Sequence, residues 1–334
     1  MRGVQALAIL ACTILAACSP VPMRVGASLT PTKLAGPFVG SPAWITPDEL
    51  VISQAAGLVD HASLVRGSLL SGTLVPLSVP VPSDCTAIDA ILPTLWKGRI
   101  VLDRHCYGVI TEPSSQYNEI LSLAPDGTGL RVEARMDWGP SSYAQLSTGP
   151  WLRAYGPDVC GWIEPVPGSG SLPSWWPPVV TDDGQPFSVE SGRGPSCDRR
   201  PLAGSVAAAP DGLIAFAASG DGRNRSGFSR LDASFGLYLA DPGGQVKRIA
   251  SGLVNPSNLR LDPNGTNLVV LATIDGHVGA WRFDRVGRRE LLWDGQADGV
   301  AWSPDGRRIA VTVRTSPGGA GASPQATVYL IDVP

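Results

Sequence analysis

Apolar and polar positions alternate in short runs along this chain, and the runs come in pairs joined by turn residues, the period-two pattern of half-buried strands. Val300 to Val313 reads VAWSPDGRRIAVTV, two apolar runs flanking Ser303, Pro304, Asp305 and Gly306. Those four residues suit positions i to i+3 of a type I turn: a side-chain acceptor, a fixed φ at proline, a short polar residue, then a glycine that accepts φ > 0. One hairpin leaves an apolar face in water and needs partners. The chain supplies them. The same form, apolar strand, turn near a proline, apolar strand, recurs at AWITPDELVIS (from Ala43), AILPTLWKGRIVL (Ala90), AYGPDVCGWIE (Ala154), VAAAPDGLIAFAA (Val206) and LRLDPNGTNLVVLA (Leu259). Its prolines, Pro47, Pro93, Pro157, Pro210, Pro263 and Pro304, repeat at a spacing that suits propeller blades with loop insertions.

A second kind of hairpin, with a polar turn, follows each of the first five copies: SLVRGSLLSGTLVPL (from Ser63), EILSLAPDGTGLRVEA (Glu119), PVVTDDGQPFSVE (Pro178), GLYLADPGGQVKRIA (Gly236) and VGAWRFDRVGRRELL (Val278). After the sixth copy only TVYLIDV (Thr327) follows, one strand without a mate, while TPTKLAGPFVG, from Thr30, precedes the first copy without a partner. Pairing these two would leave no long free edge. The expected fold is therefore all-β: a six-bladed β-propeller of four-stranded blades over residues 30–334, closed by pairing of its N- and C-terminal strands. These repeats resemble the TolB-like, WD-like propeller repeats of bacterial envelope proteins, most sharply in WSPDGRRIAV (Trp302 to Val311) and least in the second and third copies. The resemblance implies the fold. TolB itself carries a further N-terminal α/β domain and no lipid, so its partners are not carried over.

The N-terminus changes the picture of where such a propeller works. MRGVQALAILACTILAACSP has one early Arg and an apolar run from Val4 to Ala17, which reads as a secretory signal and is too short for a membrane span. Leu15, Ala16, Ala17 and Cys18 resemble the lipobox of bacterial lipoproteins, whose cysteine is lipidated and becomes the first residue of the mature chain. The resemblance implies a signal peptide at 1–17, a lipidated linker at 18–29, and a membrane anchor in which each buried CH2 contributes about 0.8 kcal/mol. An extracytoplasmic location follows: the outer membrane if the organism has one, since Ser19 is not the Asp that resembles an inner-membrane retention signal, and otherwise the outer face of the cell membrane. Charged residues make up 16% of the chain and the formal net charge is −3, without the basic stripe that nucleic acid would call for. A monomer is expected.

Besides Cys18, the exported chain holds Cys85, Cys106, Cys160 and Cys197, an even set that favours disulfides. Cys85 and Cys106 are symmetric about PTLWKG (Pro93 to Gly98), so a hairpin centred there would set them opposite each other, leaving Cys160 with Cys197. No CxxC occurs, and His61, His105 and His277 do not repeat at ligand spacing, so no metal or other cofactor is expected. Catalytic signatures are missing: no GxSxG, no HExxH, no phosphate loop and no dinucleotide fingerprint. The chain is expected not to be an enzyme but to be a binding or scaffold module for an envelope protein, peptide or glycan. A metal-dependent propeller hydrolase or lyase working in the central channel is the alternative. Candidate binding residues are Trp175 and Trp176, in a Gly-, Ser- and Pro-rich insertion, and Asn258 and Asp298, polar residues expected to face the channel near the start of innermost strands. A polar insertion from Ser219 to Gly236 places Asp221 near Asn224 but lacks the ligand ladder of a calcium loop.

Overall fold

A computed structural model describes residues 29–55, 61–109, 111–112, 116–136, 142–147, 149–154, 161–182, 184–191, 202–221, 233–316 and 325–333. The signal segment with Cys18, the pair Cys160 and Cys197, Pro157 and Asn224 lie outside them. The chain opens with β1 (Leu29–Gly36) and then lays down two antiparallel sheets in chain order. The first holds β2 (Phe38–Thr46), β3 (Glu49–Ala55), β4 (Ala62–Ser68) and β5 (Leu74–Leu77). The second holds β6 (Cys85–Trp96), β7 (Arg99–Val109), β8 (Tyr117–Leu123) and β9 (Arg131–Met136). A three-stranded sheet follows, β10 (Ser142–Gln145), β11 (Trp151–Ala154) and β12 (Ile163–Pro165), and then the hairpin β13 (Val179–Asp182) and β14 (Gln185–Ser188). The Ile163 amide donates to the Val189 carbonyl at 3.1 Å and ties the two together.

A seven-stranded sheet comes next: β15 (Leu202–Ala208), β16 (Ile214–Ser219), β17 (Ser234–Ala240), β18 (Val246–Leu261), β19 (Asn267–Ile274), β20 (His277–Asp284) and β21 (Arg289–Asp294). It is two four-stranded sets sharing one strand. The first part of β18 pairs with β17 and the second with β19, with register shifts on either side of Ser257. The last sheet is β22 (Gly299–Trp302), β23 (Arg308–Ser316) and β24 (Gln325–Asp332), with β1 on the edge of β24: Thr30 faces Leu330 and Gly36 faces Ala326.

Each sheet presents an apolar face to the next, which is how two-faced strands remove apolar area from water. Val51 and Leu64 pack on Ala90 and Leu102; Val101 and Ile120 on Tyr143 and Trp151; Leu152 on Val206 and Phe216. Val269 packs on Val300 and Ile309, and Ala301 and Val328 on Trp44 and Phe38. The result is a propeller-like arrangement of small sheets with their first strands innermost. At the junction of β22 and β2 the backbones nearly touch: a Cβ on Gly299 would stand 2.2 Å from the Ser41 Cα, so only glycine fits.

The proline turns form as the pattern predicts at three inner hairpins. The amides of Gly306, Gly265 and Gly212 donate to the carbonyls of Ser303, Asp262 and Ala209 at 2.9, 2.9 and 3.0 Å. The Ser303 hydroxyl and the Arg307 amide donate to the Asp305 carboxylate and hold its pKa below the usual range. Two copies are displaced from their expected places. Pro93 lies within β6, and the β6–β7 turn is made by Lys97 and Gly98, both at positive φ, a two-residue hairpin loop that needs no proline. The copy starting at Ala154 joins β11 to β12 instead of forming an inner hairpin; that role falls to β10 and β11 across Leu146 to Pro150. Cys85 and Cys106 are disulfide-bonded with their Cα atoms 5.7 Å apart. They do not face each other across the ladder as expected. With the turn at Lys97, Cys85 faces Val109 and Cys106 faces Ile88, so the bond runs diagonally.

Candidate functional site: an axial cavity

The first strands of the sheets are stitched to one another by side chains. The Val206 amide donates to the Ser142 hydroxyl at 2.9 Å, Leu259 to Ser205 at 3.0 Å and Val300 to Ser41 at 3.4 Å. The Tyr143 hydroxyl reaches back to the carbonyls of Leu92 and Val101. Gly40, Leu92, Ser205 and Asn258 all have positive φ at register shifts in β2, β6, β15 and β18. Such bulges re-aim the residues that follow them. Downstream of the bulges, toward the turns, the strand ends surround a cavity of about 350 Å³.

Every first strand contributes to this lining: β2, β6, β10, β15, β18 and β22. Its walls are aromatic, with Trp44, Trp96, Tyr143, Trp151 and Trp302. Its rim carries Pro210, Pro263 and Pro304, the turn prolines of the repeat, and the exposed Lys97. The Trp44 indole N–H donates to the Ala301 carbonyl at 3.1 Å and that of Trp302 to the Arg260 carbonyl at 3.3 Å, which fixes both rings. Arg260 is the charged group of the wall. One of its N–H groups donates to the Leu259 carbonyl at 2.9 Å, and burial lowers its pKa from the ordinary value without removing its charge. Asp262 also lines the cavity, but its carboxylate accepts from the Thr266 amide and hydroxyl, each at 2.7 Å, and from Asn267 at 2.9 Å.

The residues singled out in the sequence fall elsewhere. Asn258 does not face the cavity: its carboxamide accepts from the Ser41 hydroxyl at 2.6 Å and donates to the Asp298 carbonyl at 3.4 Å, joining β18, β2 and the start of β22. The Asp298 carboxylate is held by Arg314, whose Nε donates to one oxygen at 3.2 Å and one terminal nitrogen to the other at 3.1 Å. Trp175 and Trp176 are half-buried against the core of β10 to β17, and their indoles donate to the Pro242 carbonyl at 2.9 Å and to Glu190 at 2.8 Å. His105 bonds Asn118 at 2.8 Å and Gln116 at 3.0 Å, and His61 and His277 stand 3.5 and 3.4 Å from Asp89 and Asp294. Among the described residues no three His, Cys, Asp or Glu side chains converge as a metal site would need.

Arg260 was missed, although the repeat held a signal. Three residues before the turn proline the copies carry Trp44, Ala207, Arg260 and Ala301; all four line the cavity, and only one is charged.

No protein-family model and no curated protein matches the chain. Solved structures do. The α-L-arabinanase of Penicillium chrysogenum, solved with arabinobiose, is similar over 91% of this chain and 98% of its own, at 14% identity and a TM-score of 0.53. A puromycin hydrolase is similar over 91% of this chain and 55% of its own, at 12% identity and a TM-score of 0.50. TolB from Acinetobacter baumannii is similar over 80% of this chain, at 14% identity and a TM-score of 0.48; the chain spans 59% of that protein's length. At such identities the likeness is one of fold. It corrects the expectation that the chain is not an enzyme: the same fold, over nearly its whole length, is that of an arabinanase. The absent GxSxG and HExxH motifs belong to other folds, so their absence does not exclude catalysis here. The comparisons thus give the chain a β-propeller fold shared with enzymes.

Proposed function

We propose that the chain is a lipid-anchored, extracytoplasmic six-bladed β-propeller that takes a glycan or peptide of the cell envelope into its axial cavity. The cavity carries the reading, because strand ends from every sheet converge on one aromatic-walled space at the low end of the volume range of small-molecule sites. Indole and phenol faces stack on sugar rings and apolar side chains alike. Six blades are supported by the three four-stranded sheets, the two sets that share β18 and the divided sheet of β10 to β14, with β1 completing the last blade beside β24. The anchor rests on the lipobox at Leu15 to Cys18.

Two measurements test this. Titrating the soluble propeller with envelope saccharides and peptides, while following tryptophan fluorescence and product formation by chromatography, is expected to give a saturable change that weakens at least tenfold in Trp96→Ala. Binding that leaves the indoles and the Trp96→Ala variant unaffected would place the ligand elsewhere and overturn the cavity reading. For the anchor, the full-length chain is expected in the detergent phase of a Triton X-114 separation and Cys18→Ala in the aqueous phase; equal partition would refute lipidation.

A further inference from the structure

We infer that Arg260 is an anion-recognition residue, and that the ligand of the axial cavity carries a single carboxylate on a flat ring or apolar body. This rests on the cavity reading above and narrows it to a chemical class. A guanidinium has five N–H donors in a planar fork, and Arg260 spends one of them, on the Leu259 carbonyl. Among the described residues no carboxylate lies within ion-pair distance of it. Asp262, two residues along, is saturated by Thr266 and Asn267. Across the ladder Arg260 faces Val269, an apolar residue. Tyr143 interacts with it electrostatically, but burial pushes that phenol well above its ordinary pKa, so it is neutral and offers no counter-charge.

A cation half-buried in a cavity wall without a counter-ion gives up hydration with nothing in return, and a fold does not gain from keeping one. Its position also departs from the repeat, where the equivalent residues are Trp44, Ala207 and Ala301. The idle part of the fork matches the two oxygens of a carboxylate, the geometry in which arginine excels. One cation in the wall calls for one negative charge. Lys97, the other cation of the lining, is exposed at the rim, with its ammonium 3.4 Å from the Ser147 carbonyl. The aromatic walls account for the rest of the ligand: a flat body, one or two rings in size, lies against Trp and Tyr faces while the carboxylate meets Arg260. Uronic acids and aryl carboxylates share this chemistry, and so does the C-terminus of a short peptide.

The test compares charged and neutral members of matched pairs, read by tryptophan fluorescence and calorimetry on the soluble propeller. The pairs are glucuronate with glucose, indole-3-acetate with indole-3-acetamide, and a dipeptide acid with its amide; inorganic phosphate is a further probe. The wild-type chain is expected to bind the acid of at least one pair ten times or more tighter than its neutral partner. Arg260→Met, which keeps the aliphatic stem, is expected to erase that preference and to melt no lower than wild type. Arg260→Lys is expected to recover only part of the preference. If wild type binds acid and neutral partner equally, the cavity reading stands and the carboxylate inference falls. If phosphate binds tighter than every carboxylate, the ligand class is wrong. A large fall in melting temperature for Arg260→Met would make the guanidinium a structural group, and a panel in which nothing perturbs the indoles would remove both readings.

Discussion

Among the described residues two strand arginines, Arg104 and Arg153, are buried, and a third, Arg260, is half-buried in the wall of the axial cavity; the first two are neutralised where the third is not. Arg104 on β7 faces Glu119 on β8, and its guanidinium meets that carboxylate through Nε at 3.0 Å and through one terminal nitrogen, while the other donates to the Pro80 carbonyl at 2.8 Å. Arg153 on β11 faces Glu164 on β12 and meets it at 2.8 and 2.6 Å. Both pairs are buried and sit at the same step of their sheets, second strand to third. Arg260 on β18 faces Val269. The same chain therefore builds a counter-ion when a cation serves the fold. Its omission at the axis separates a residue kept for the fold from one kept for a ligand.

The largest effect expected from breaking this comparison is at the paired sites. Glu119→Gln strands the Arg104 guanidinium, and removing one partner of a buried pair costs about 3–5 kcal/mol. Urea denaturation is expected to show that loss for Glu119→Gln, against no loss for Arg260→Met. Matching losses at both sites would mean that Arg260 is as structural as Arg104 and that the distinction is unfounded.

A buried carboxyl can resolve the same problem in a way arginine cannot, by keeping its proton. Asp103, on β7 and fully buried, accepts from the Asn118 carboxamide at 2.7 Å, while its second oxygen has no partner. Burial is the main cause that raises its pKa to about 7, with the nearby Asp89 adding to it and Asn118 opposing. The native state thus holds a proton that the unfolded chain releases near the ordinary value of 3.8, so stability falls as pH rises through the window from about 4 to about 7 and levels off above it. At 1.36 kcal/mol per unit the full span is on the order of 4 kcal/mol. Asp103→Asn is expected to flatten this slope and to be more stable than wild type at pH 8. Parallel pH profiles for the two proteins would refute the assignment.

A smaller effect is expected in the stitching between first strands. The Ser41 hydroxyl, fully buried, donates to Asn258 and accepts from the Val300 amide, so Ser41→Ala leaves two interior polar groups short of a partner. Unmet hydrogen bonds of this kind cost about 1–3 kcal/mol. Chemical denaturation checks the value, and amide exchange is expected to speed up at Val300. A loss confined to β2, with β22 unchanged, would show that Ser41 does not join the two sheets.

How much of this was legible in the sequence follows from range. The turn at Ser303 to Gly306 was legible in full, because its chemistry lies within four residues. The alternation of hairpins was legible too, except at the third copy, where the inner hairpin is β10 and β11 and not the run from Ala154. The disulfide was read correctly as a pair but by the wrong geometry, since the loop at Lys97 and Gly98 shifts the register away from the symmetric centre. Asn258 and Asp298 were chosen as polar residues near strand starts, whereas Asn258 sits at the bulge of β18 and it is Arg260, two residues beyond it, that lines the cavity. Which face of a strand meets the axis depends on such bulges, and a bulge is set by packing between sheets that are far apart in sequence. Alignment on the turn prolines comes closest to recovering that information, because it exposes the one charged residue in an otherwise apolar column.

The smallest expected effect sharpens the contrast from the side of solvent. Arg314 and Asp298 form a two-pronged pair at 3.1 and 3.2 Å, a geometry as good as that of Arg104 with Glu119. Arg314 is nearly half exposed, though, and in water the attraction is screened while the long side chain gives up its freedom to hold the contact. Exposed pairs are worth about 0.2–1 kcal/mol, so Arg314→Ala is expected to cost no more than that in urea, and less in high salt. Asp298 is the better buried partner, and without Arg314 water can still reach it past the exposed C-terminal end of β23. A loss matching that of Glu119→Gln would mean that pairing geometry outweighs burial in this fold. The lone cation at the axis would then have to be judged by its missing partner alone, and not by the solvent it has lost.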